Sequence, residues 1–398
     1  MPAPTNPHLA ATAPPPVMEA RRWIEAATFG ADRPLLNLSQ AAPAEPPPAP
    51  LRAAMAEMLE RPEAHLYGPV LGLPALRDRI AADWSAAYGG TVAPDDVAIT
   101  SGCNQAFTAA ISTLAAPGDD VILPLPFYFN HKMWLDMAGI GARLLETGSD
   151  LLPDAAAAAA LIGPRTRAIV LVTPNNPGGV EYPADVVAAF RDLCRARGLA
   201  LIVDETYRDF DGRDGAPHDL FADPDWRDTV IQLYSFSKAY RLTGHRVGAM
   251  VASPARLREV EKWLDTVTIC PAQLGQMAAL WGMENLGDWL AGERREILAR
   301  RDAMAAGFAG LDGWDVLGCG AYFAYVAHPF DAPSDAVAKA LVDRAALLLL
   351  PGTMFGPSQA EGGTGRAEAT LRIAFANADR DGIATLFDRL HEVTRIGL

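Results

Sequence analysis

The most constraining feature of the sequence is a series of short apolar runs, separated by amphipathic stretches, between about residues 50 and 250. The runs are rich in β-branched residues, too short for helices and not strictly alternating with polar residues, which is the pattern of strands buried on both faces. They are Val97–Thr100, Val121–Leu123, Ala168–Thr173, Leu199–Asp204, Val230–Ser235 and Val247–Ala252. Strands that alternate with helices predict an α/β fold, in which a mostly parallel sheet is sandwiched by helices.

The C-terminal part of the chain has a different order of elements. A long, charge-rich helix is predicted from Trp289 to about Leu311, followed by strands at Tyr322–Val326 and Thr370–Phe375 and a closing helix. This order is typical of a smaller α+β domain. We expect four parts, which are a mobile Pro/Ala tail at 1–16, an arm at 17–50 that joins the small domain, a large domain at 51–290 and a small C-terminal domain at 291–398.

The composition argues against several kinds of partner. The 398 residues include 34 basic and 48 acidic side chains, and a net charge of −14 disfavours nucleic acid or an anionic membrane. No apolar run approaches the ~18 residues that span a bilayer, and the N-terminus lacks the pattern of a secretory signal. The four cysteines are dispersed and the seven histidines form no metal-binding pair, so we expect a cytoplasmic protein without a metal.

Five of the apolar runs end in a cluster of polar residues. The clusters are Ser101–Asn104, Pro126–Asn130, Pro174–Gly179, Asp204–Tyr207 and Ser235–Lys238. Ligands of open α/β sheets bind outside the carboxyl ends of the strands. The sequence therefore predicts that these five clusters converge on one binding site.

Three features of these clusters suggest a phosphorylated aromatic ligand. Ser101–Asn104 precedes a helix whose N–H groups would bind a phosphate, with Arg246 as a fixed charge beside it. Taken alone, this motif is better explained as an ordinary turn and helix cap. Asp204 ends an apolar strand, where it would pair with a ring-nitrogen cation or cap a helix. Tyr207 would bond a phenolate oxygen, or it packs in the core.

Lys238 is the strongest candidate for a reactive amine. The chain has only four lysines, and the other three are Lys132, Lys262 and Lys339. Those three lie in amphipathic or charged stretches that are typical of solvated side chains. Lys238 instead follows a buried strand at the proposed ligand edge, where burial and Arg246 would lower its pKa as a Schiff-base amine requires.

These motifs together resemble the class I/II aminotransferases, which are pyridoxal-phosphate enzymes of fold type I in the aspartate aminotransferase superfamily. The resemblance covers about residues 35 to 395, and it rests on the order and spacing of Asp204–Tyr207, Ser235–Lys238 and Gly244–Gly248. It implies a seven-stranded type of sheet in the large domain. It also implies catalytic roles for Lys238, which binds the cofactor as a Schiff base, for Asp204 at the pyridine nitrogen and for Tyr207 at the ring oxygen.

The resemblance assigns further residues by their positions. Those implied to bind the cofactor are Gly102, Cys103, Asn104, Tyr128, Asn176, Asp204, Tyr207, Ser235, Ser237, Lys238 and Arg246, together with Tyr67, which reaches the phosphate of a neighbouring subunit. Those implied to bind substrate are Arg372, Asn176, Ala41 and Tyr128. Ala41 stands where many relatives have Gly, and Gly178 where many have Thr, which leaves the substrate open. Tyr67 implies a homodimer.

The implied activity is ping-pong transfer of an amino group between an L-amino acid and a 2-oxo acid (EC 2.6.1.-). A β-C–S lyase and an aspartate-type aminotransferase on the same scaffold are alternatives, whereas the acidic chain disfavours a cofactor-binding transcription regulator. No basic residue lies between Lys262 and Arg294, where dicarboxylate-specific relatives place a second Arg, so neutral or aromatic donors are expected. Tyr128, Phe129 and Tyr322 would line such a pocket, or they pack in the core.

Overall fold

The structure, a computed structural model, describes residues 3–25, 27–43 and 45–398. Met1 and Pro2 of the predicted tail lie outside the described residues. The α-helices are α1 (Pro7–Ala11), α2 (Pro16–Glu25), α3 (Ala49–Met58), α4 (Pro74–Tyr88), α5 (Cys103–Ser112), α6 (Phe129–Met137), α7 (Ala155–Leu161), α8 (Ala184–Arg197), α9 (Phe236–Ala239), α10 (Pro254–Thr268), α11 (Gln273–Asn285), α12 (Gly287–Ala309), α13 (Ser334–Ala345) and α14 (Arg380–Ile396). The strands are β1 (Leu36–Asn37), β2 (Val97–Thr100), β3 (Asp120–Pro124), β4 (Gly141–Leu145), β5 (Thr166–Val172), β6 (Ala200–Asp204), β7 (Val230–Ser235), β8 (Gly248–Val251), β9 (Asp315–Gly320), β10 (Phe323–Ala327), β11 (Leu347–Leu348), β12 (Leu350–Pro351) and β13 (Thr370–Ala374).

The large sheet has seven strands in the order β2-β8-β7-β6-β5-β3-β4. β8 runs antiparallel to both of its neighbours, and the other pairs are parallel. This arrangement confirms the predicted α/β fold. The register sets Asp204 beside Val172 on one side and Leu233 on the other. The polar residues that follow β5, β6 and β7 therefore leave the sheet at the same edge.

Burial on both faces explains why the central strands have no strict apolar–polar alternation. Alternate residues of β5 and β6 pack into two separate apolar cores, with Leu171 and Val203 in one and Val170 and Ile202 in the other. The first core includes residues of α4, α8 and α11, and the second includes residues of α5 and α10. The helices thus cover both faces of the sheet, as predicted.

The smaller unit contains an antiparallel sheet in the order β12-β13-β10-β9, which packs with α12, α13 and α14. The chain segment before the large sheet joins this unit, because β1 pairs in parallel with β11 and Ala374 N donates to Leu38 O. This pairing carries Ser39–Ala41 toward the edge where the polar clusters emerge. The four-part division of the chain, including a mobile tail, stays a prediction.

None of the helices in the described part of the chain is both long enough and apolar enough to cross a bilayer.

Candidate active site

A cavity of about 170 Å³ lies at the carboxyl ends of the central strands. It is lined by Cys103, Asn104, Tyr128, Val172, Asn176, Asp204, Thr206, Tyr207, Ser235, Ser237, Lys238 and Arg246. Each of the five polar clusters predicted from the sequence contributes at least one residue to this lining. The predicted convergence of separate strand ends on one site is therefore what the fold produces.

Asp204 is a buried carboxylate at the end of β6 and is held by several donors. His131 Nε2 lies 3.2 Å from Asp204 Oδ2, and Thr206 N donates to Asp204 Oδ1 at 3.0 Å. Burial alone would raise the pKa of Asp204, but the hydrogen bond and charge of His131 and the bonds from Thr206 outweigh it and lower the pKa. The carboxylate therefore stays negative and suits a partner that carries a positive charge.

Lys238 follows β7 in the short helix α9, and its half-buried side chain lines the cavity. Its Nζ donates to the carbonyl oxygen of Ala41 and lies 5.8 Å from the centre of the Tyr207 ring. Burial, and then the positive charges of Arg246 and Arg372, lower its pKa from 10.5 to about 8. A lysine that loses its proton this readily is a competent nucleophile and base near neutral pH.

The rim formed by α5 and Arg246 has the features of a phosphate site. α5 begins at Cys103, so its first N–H groups lack intrahelical partners. Gly102 has φ +89°, and a Cβ there would lie 2.3 Å from Arg246 Nη2. Arg246 Nη1 donates only to neutral oxygens, those of Thr243 O at 3.1 Å and Ser237 Oγ at 3.4 Å. Among the described residues no carboxylate lies within 4.0 Å of this guanidinium, which leaves its charge for an anion.

Arg372 on β13 is a second cation that has no acidic partner among the residues that the structure describes. It is 1% exposed, and its Nη1 donates to Asn176 Oδ1 at 2.9 Å, while its Nη2 donates to Ser39 O. The Phe355 and Phe323 rings lie 4.8 and 5.1 Å from the guanidinium carbon. Burial lowers the pKa of Arg372 to about 10. A buried guanidinium held by neutral groups is suited to a carboxylate ligand.

Two tyrosines supply hydroxyl groups inside the cavity. Burial raises the pKa of Tyr207 well above its usual value and that of Tyr128 to about 12, so both hydroxyls keep their protons. Asn130 Nδ2 donates to the Tyr128 hydroxyl at 2.9 Å. The Tyr207 ring packs against Phe323, with ring centres 5.1 Å apart. Each hydroxyl is thus a fixed donor rather than an acid.

The other predicted site residues are placed as follows. Ala41 and Gly102 are not lining residues of the cavity, but each lies next to one, since the carbonyl oxygen of Ala41 accepts from Lys238 and Gly102 lies against Arg246. Tyr67 is 81% exposed and lines no part of the cavity of its own chain. Its role in a neighbouring subunit stays a prediction.

Two contributors to the site, His131 and Thr206, were not predicted. His131 is the residue that directly follows the cluster Pro126–Asn130, and its ring stacks on Phe107 with centres 3.9 Å apart. Thr206 lies inside the cluster Asp204–Tyr207. Both residues could therefore have been predicted from their positions within or next to a polar cluster at a strand end.

Comparison with known proteins identifies the family. The sequence model of "Aminotransferase class I and II" matches residues 33–390. The chain is 32% identical to the valine–pyruvate aminotransferase of Mycobacterium tuberculosis, over 92% of this chain and 93% of that protein. It is 32% identical to an arginine–pyruvate transaminase of Pseudomonas aeruginosa, over 88% and 92%. A crystal structure of an aminotransferase from Mycobacterium tuberculosis superimposes with a TM-score of 0.87 at 28% identity and covers 100% of both chains.

The chain belongs to the class I and II aminotransferases. It is a transferase of EC 2.6.1.- that depends on pyridoxal phosphate. The residues of the cavity fit this cofactor, since they offer a buried carboxylate for a ring cation, a buried amine for an aldehyde and an unpaired guanidinium beside a helix N-terminus for a phosphate.

Proposed function

We propose that this aminotransferase moves an amino group between an L-amino acid and a 2-oxo acid by a ping-pong mechanism, with neutral or aromatic donors preferred. The observation that carries the proposal is the buried Arg372, which is held by Asn176 and Ser39 rather than by an acidic side chain. Amino acids and 2-oxo acids share a carboxylate next to the reacting carbon. One fixed guanidinium can therefore bind both classes of substrate in turn.

The proposed roles of the residues follow from their chemistry. Pyridoxal phosphate, when bound, supplies an electron sink for the negative charge that develops at the substrate Cα. Asp204, kept negative by His131, would hold the proton on the ring nitrogen. Tyr207 would donate to the ring oxygen, and the rim of Gly102 to Asn104 with Ser235, Ser237 and Arg246 would bind the phosphate.

Lys238 is the proposed base and acid. Its amine, with a pKa of about 8, would take the proton from the substrate Cα and return it at the cofactor side. Arg372 and Asn176 would turn the Cα–H bond toward this amine by holding the substrate carboxylate, which is a positioning effect. Tyr128 would stack on the cofactor ring.

The donor preference is supported by the sequence between Lys262 and Arg294, which contains no basic residue that could bind a second substrate carboxylate. Tyr128 lines the cavity and would offer an aromatic face to an apolar or aromatic side chain on the substrate. The two relatives named for valine and arginine both carry pyruvate in their names, which makes pyruvate the first oxo acid to test.

A donor screen tests this proposal. Valine, phenylalanine, methionine, arginine and aspartate are each incubated with the holoenzyme and either pyruvate or 2-oxoglutarate, and the new amino acid and free ammonia are measured. We expect a neutral or aromatic donor to give the highest kcat/KM, with one new amino acid for each donor consumed. Aspartate as the clearly best donor contradicts the preference. Ammonia release without an oxo acid contradicts transamination and favours the β-C–S lyase.

We also propose that the enzyme is a homodimer in which Tyr67 completes the partner's phosphate site. Gly68 N donates to Cys270 Sγ at 3.4 Å, which sets the exposed Leu66 and Tyr67 near the exposed Ile269. Apolar side chains exposed close together are typical of a surface that binds a partner. Sedimentation should give a dimer, and a fully active monomer contradicts the proposal. We propose in the same way that the chain has the four parts given above and that the protein is cytoplasmic.

A further inference from the structure

A buried polar cluster lies behind the cavity, on the far side of the segment that carries Asp204 and Tyr207. Its centre is Glu205, which is 1% exposed.

Three side chains converge on Glu205 Oε2. Tyr88 OH donates at 2.7 Å, Gln232 Nε2 donates at 2.5 Å and His218 Nε2 lies 3.3 Å away. His218 Nδ1 accepts from Leu220 N, so the ring proton sits on Nε2 and faces the carboxylate.

Glu205 is charged in spite of its burial. Burial would raise its pKa, but its contact with His218, the charge of Arg208 and the bond from Gln232 outweigh it and lower the pKa. A buried carboxylate with three converging donors is costly to assemble and tolerates little movement. Such a group holds the backbone to which it belongs.

Arg208 anchors the same segment by a different contact. Its guanidinium carbon lies 3.9 Å from the centre of the Trp84 ring and 4.8 Å from that of Tyr88. Asp209 Oδ2 accepts from Tyr234 OH at 2.8 Å. Stacking of a desolvated guanidinium on two aromatic rings adds a cation–π attraction to the burial of its stem.

The side chains of this segment therefore divide between two environments. Asp204, Thr206 and Tyr207 line the cavity, whereas Glu205 and Arg208 enter the cluster behind it. The backbone is fixed as well, because Glu205 N donates to Leu233 O and Arg208 N donates to Glu205 O. The cluster joins α4, through Trp84 and Tyr88, to the Asp204–Phe210 segment.

The cluster also reaches the strand that leads to Lys238. Gln232 and Tyr234 are both on β7, and Gln232 Oε1 accepts from Trp84 Nε1 at 2.7 Å. One set of buried contacts thus fixes the strand before Lys238 and the segment with Asp204 relative to each other. A displacement of about 1 Å at a catalytic group can cost about 100-fold in rate.

We propose that Glu205, held by Tyr88, Gln232 and His218, is a positioning residue that sets Asp204 and Tyr207 against the cofactor ring. This inference rests on the proposed roles of Asp204 and Tyr207, and it identifies the residue that holds these two side chains in position. Glu205 itself does not line the cavity. Its effect on the reaction passes through the backbone and through the strand that precedes Lys238.

The test compares Glu205→Gln with Asp96→Asn in the holoenzyme. Asp96 is equally buried, at 1% exposed, and is paired with Arg227 at the opposite end of the sheet. Both variants should lower the thermal midpoint. Only Glu205→Gln should lower kcat, about 10- to 100-fold, with KM within about two-fold of wild type.

A spectroscopic readout separates positioning from general destabilisation. In Glu205→Gln the pH midpoint of the visible absorbance of the bound cofactor should rise. In its proposed role the Tyr207 hydroxyl donates to the ring oxygen and stabilises the negative charge that remains there when the Lys238 nitrogen loses its proton. A displaced Tyr207 would not stabilise that charge, so the proton would be lost only at higher pH. Asp96→Asn should keep the wild-type midpoint. Should Glu205→Gln fail to fold, Tyr88→Phe, which removes a single donor and keeps the ring under Arg208, should show a smaller loss of kcat in the same direction.

The inference is overturned if folded Glu205→Gln has the wild-type kcat and an unchanged pH midpoint. If Glu205→Gln does not fold, the same result in Tyr88→Phe overturns it. Equal losses of kcat in Glu205→Gln and Asp96→Asn also overturn it. Failure of the proposed function looks different, because the wild-type enzyme itself would then lack amino-group transfer or the visible absorbance.

Discussion

His131 and Asp204 form a buried pair in which Nε2 of the imidazole lies 3.2 Å from Oδ2 of the carboxylate. Neither side chain reaches solvent to more than a few per cent, and the imidazole is fixed between Phe107 and Tyr128 by ring contacts. Burial favours the neutral acid, while His131 favours the carboxylate, and the outcome is a lowered pKa for Asp204. The negative charge of Asp204, which suits a ring-nitrogen cation, is therefore maintained by a neighbour that does not itself line the cavity.

Replacing His131 with Phe should remove this support and raise the pKa of Asp204. Because the proposed role of Asp204 requires a negative carboxylate, the acidic limb of the kcat/KM profile should move to higher pH, by about one unit or more. The measurement is the pH dependence of kcat/KM down to the lowest pH at which the wild type stays folded, because the pKa of Asp204 is lowered from 3.8 and the acidic limb of the wild type lies below that pH.

His328→Phe is the matched control for that substitution. His328 is also buried, but it lies in the smaller unit, where its Nε2 contacts the carbonyl oxygen of Glu368 at 3.3 Å. This variant should lose stability and keep the wild-type acidic limb. An acidic limb that does not move in His131→Phe would contradict the account of Asp204.

Replacing Arg372 with Lys should lower kcat/KM for amino acids about 10- to 100-fold, because a single ammonium cannot reproduce the two-pronged contact with a carboxylate. The loss should be present for every donor and for the 2-oxo acid, since all share the carboxylate. Steady-state kinetics with two donors and one acceptor measure it.

Arg389→Lys provides the comparison for Arg372→Lys. Arg389 is a buried arginine in α14 that donates to the carbonyl oxygens of Ala345 and Ala346, away from the cavity. We expect it to affect stability alone. A loss of kcat/KM for only one substrate in Arg372→Lys would be inconsistent with a shared carboxylate site.

Replacing Gly102 with Ala should weaken cofactor binding, because the new Cβ would lie 2.3 Å from Arg246 Nη2 and push the guanidinium out of the phosphate site. Gly397→Ala controls for backbone strain, since Gly397 has φ +82° and ψ 161°, close to the +89° and 165° of Gly102, and has open space around its Cβ position. Cofactor titration of the two apo-proteins should show a raised dissociation constant for the first variant alone. Equal effects would mean that strain, and not the phosphate site, is responsible.

The lowered pKa of Lys238 predicts the pH dependence of cofactor uptake. In its proposed role the neutral amine of Lys238 would react with the cofactor aldehyde, so the uptake rate of the apo-protein should rise as pH increases and level off above about 8, rather than near the ordinary 10.5. Stopped-flow absorbance at constant ionic strength records the rate. A midpoint near 10 would contradict the burial and the charges of Arg246 and Arg372 as causes.

The sequence allowed the sheet and the site to be predicted where the signals are local. β2 and β7 have the bounds that the apolar runs predicted, because both faces of these strands are buried and leave a continuous apolar run. The strand-end clusters identified the cavity lining because parallel strands end at one edge. β4 (Gly141–Leu145) was missed, since this edge strand is partly exposed and carries Arg143.

Contacts between distant segments could not be predicted in this way. The carbonyl oxygen of Ala41 meets Lys238 only because the two-residue strand β1 pairs with β11 more than 300 residues later. Glu205 likewise meets Tyr88 across 117 positions of sequence. Such pairs depend on tertiary packing, for which a single sequence carries no periodic signal.

The central claim is that Lys238 binds the cofactor and moves the proton. The most direct measurement compares wild type, Lys238→Ala and Lys262→Ala, whose lysine is exposed on α10, for visible cofactor absorbance and for transfer of an amino group from phenylalanine or valine to pyruvate. We predict that Lys238→Ala loses the wild-type absorbance and the transfer together, while Lys262→Ala keeps both. Retention of both properties by folded Lys238→Ala would contradict the account.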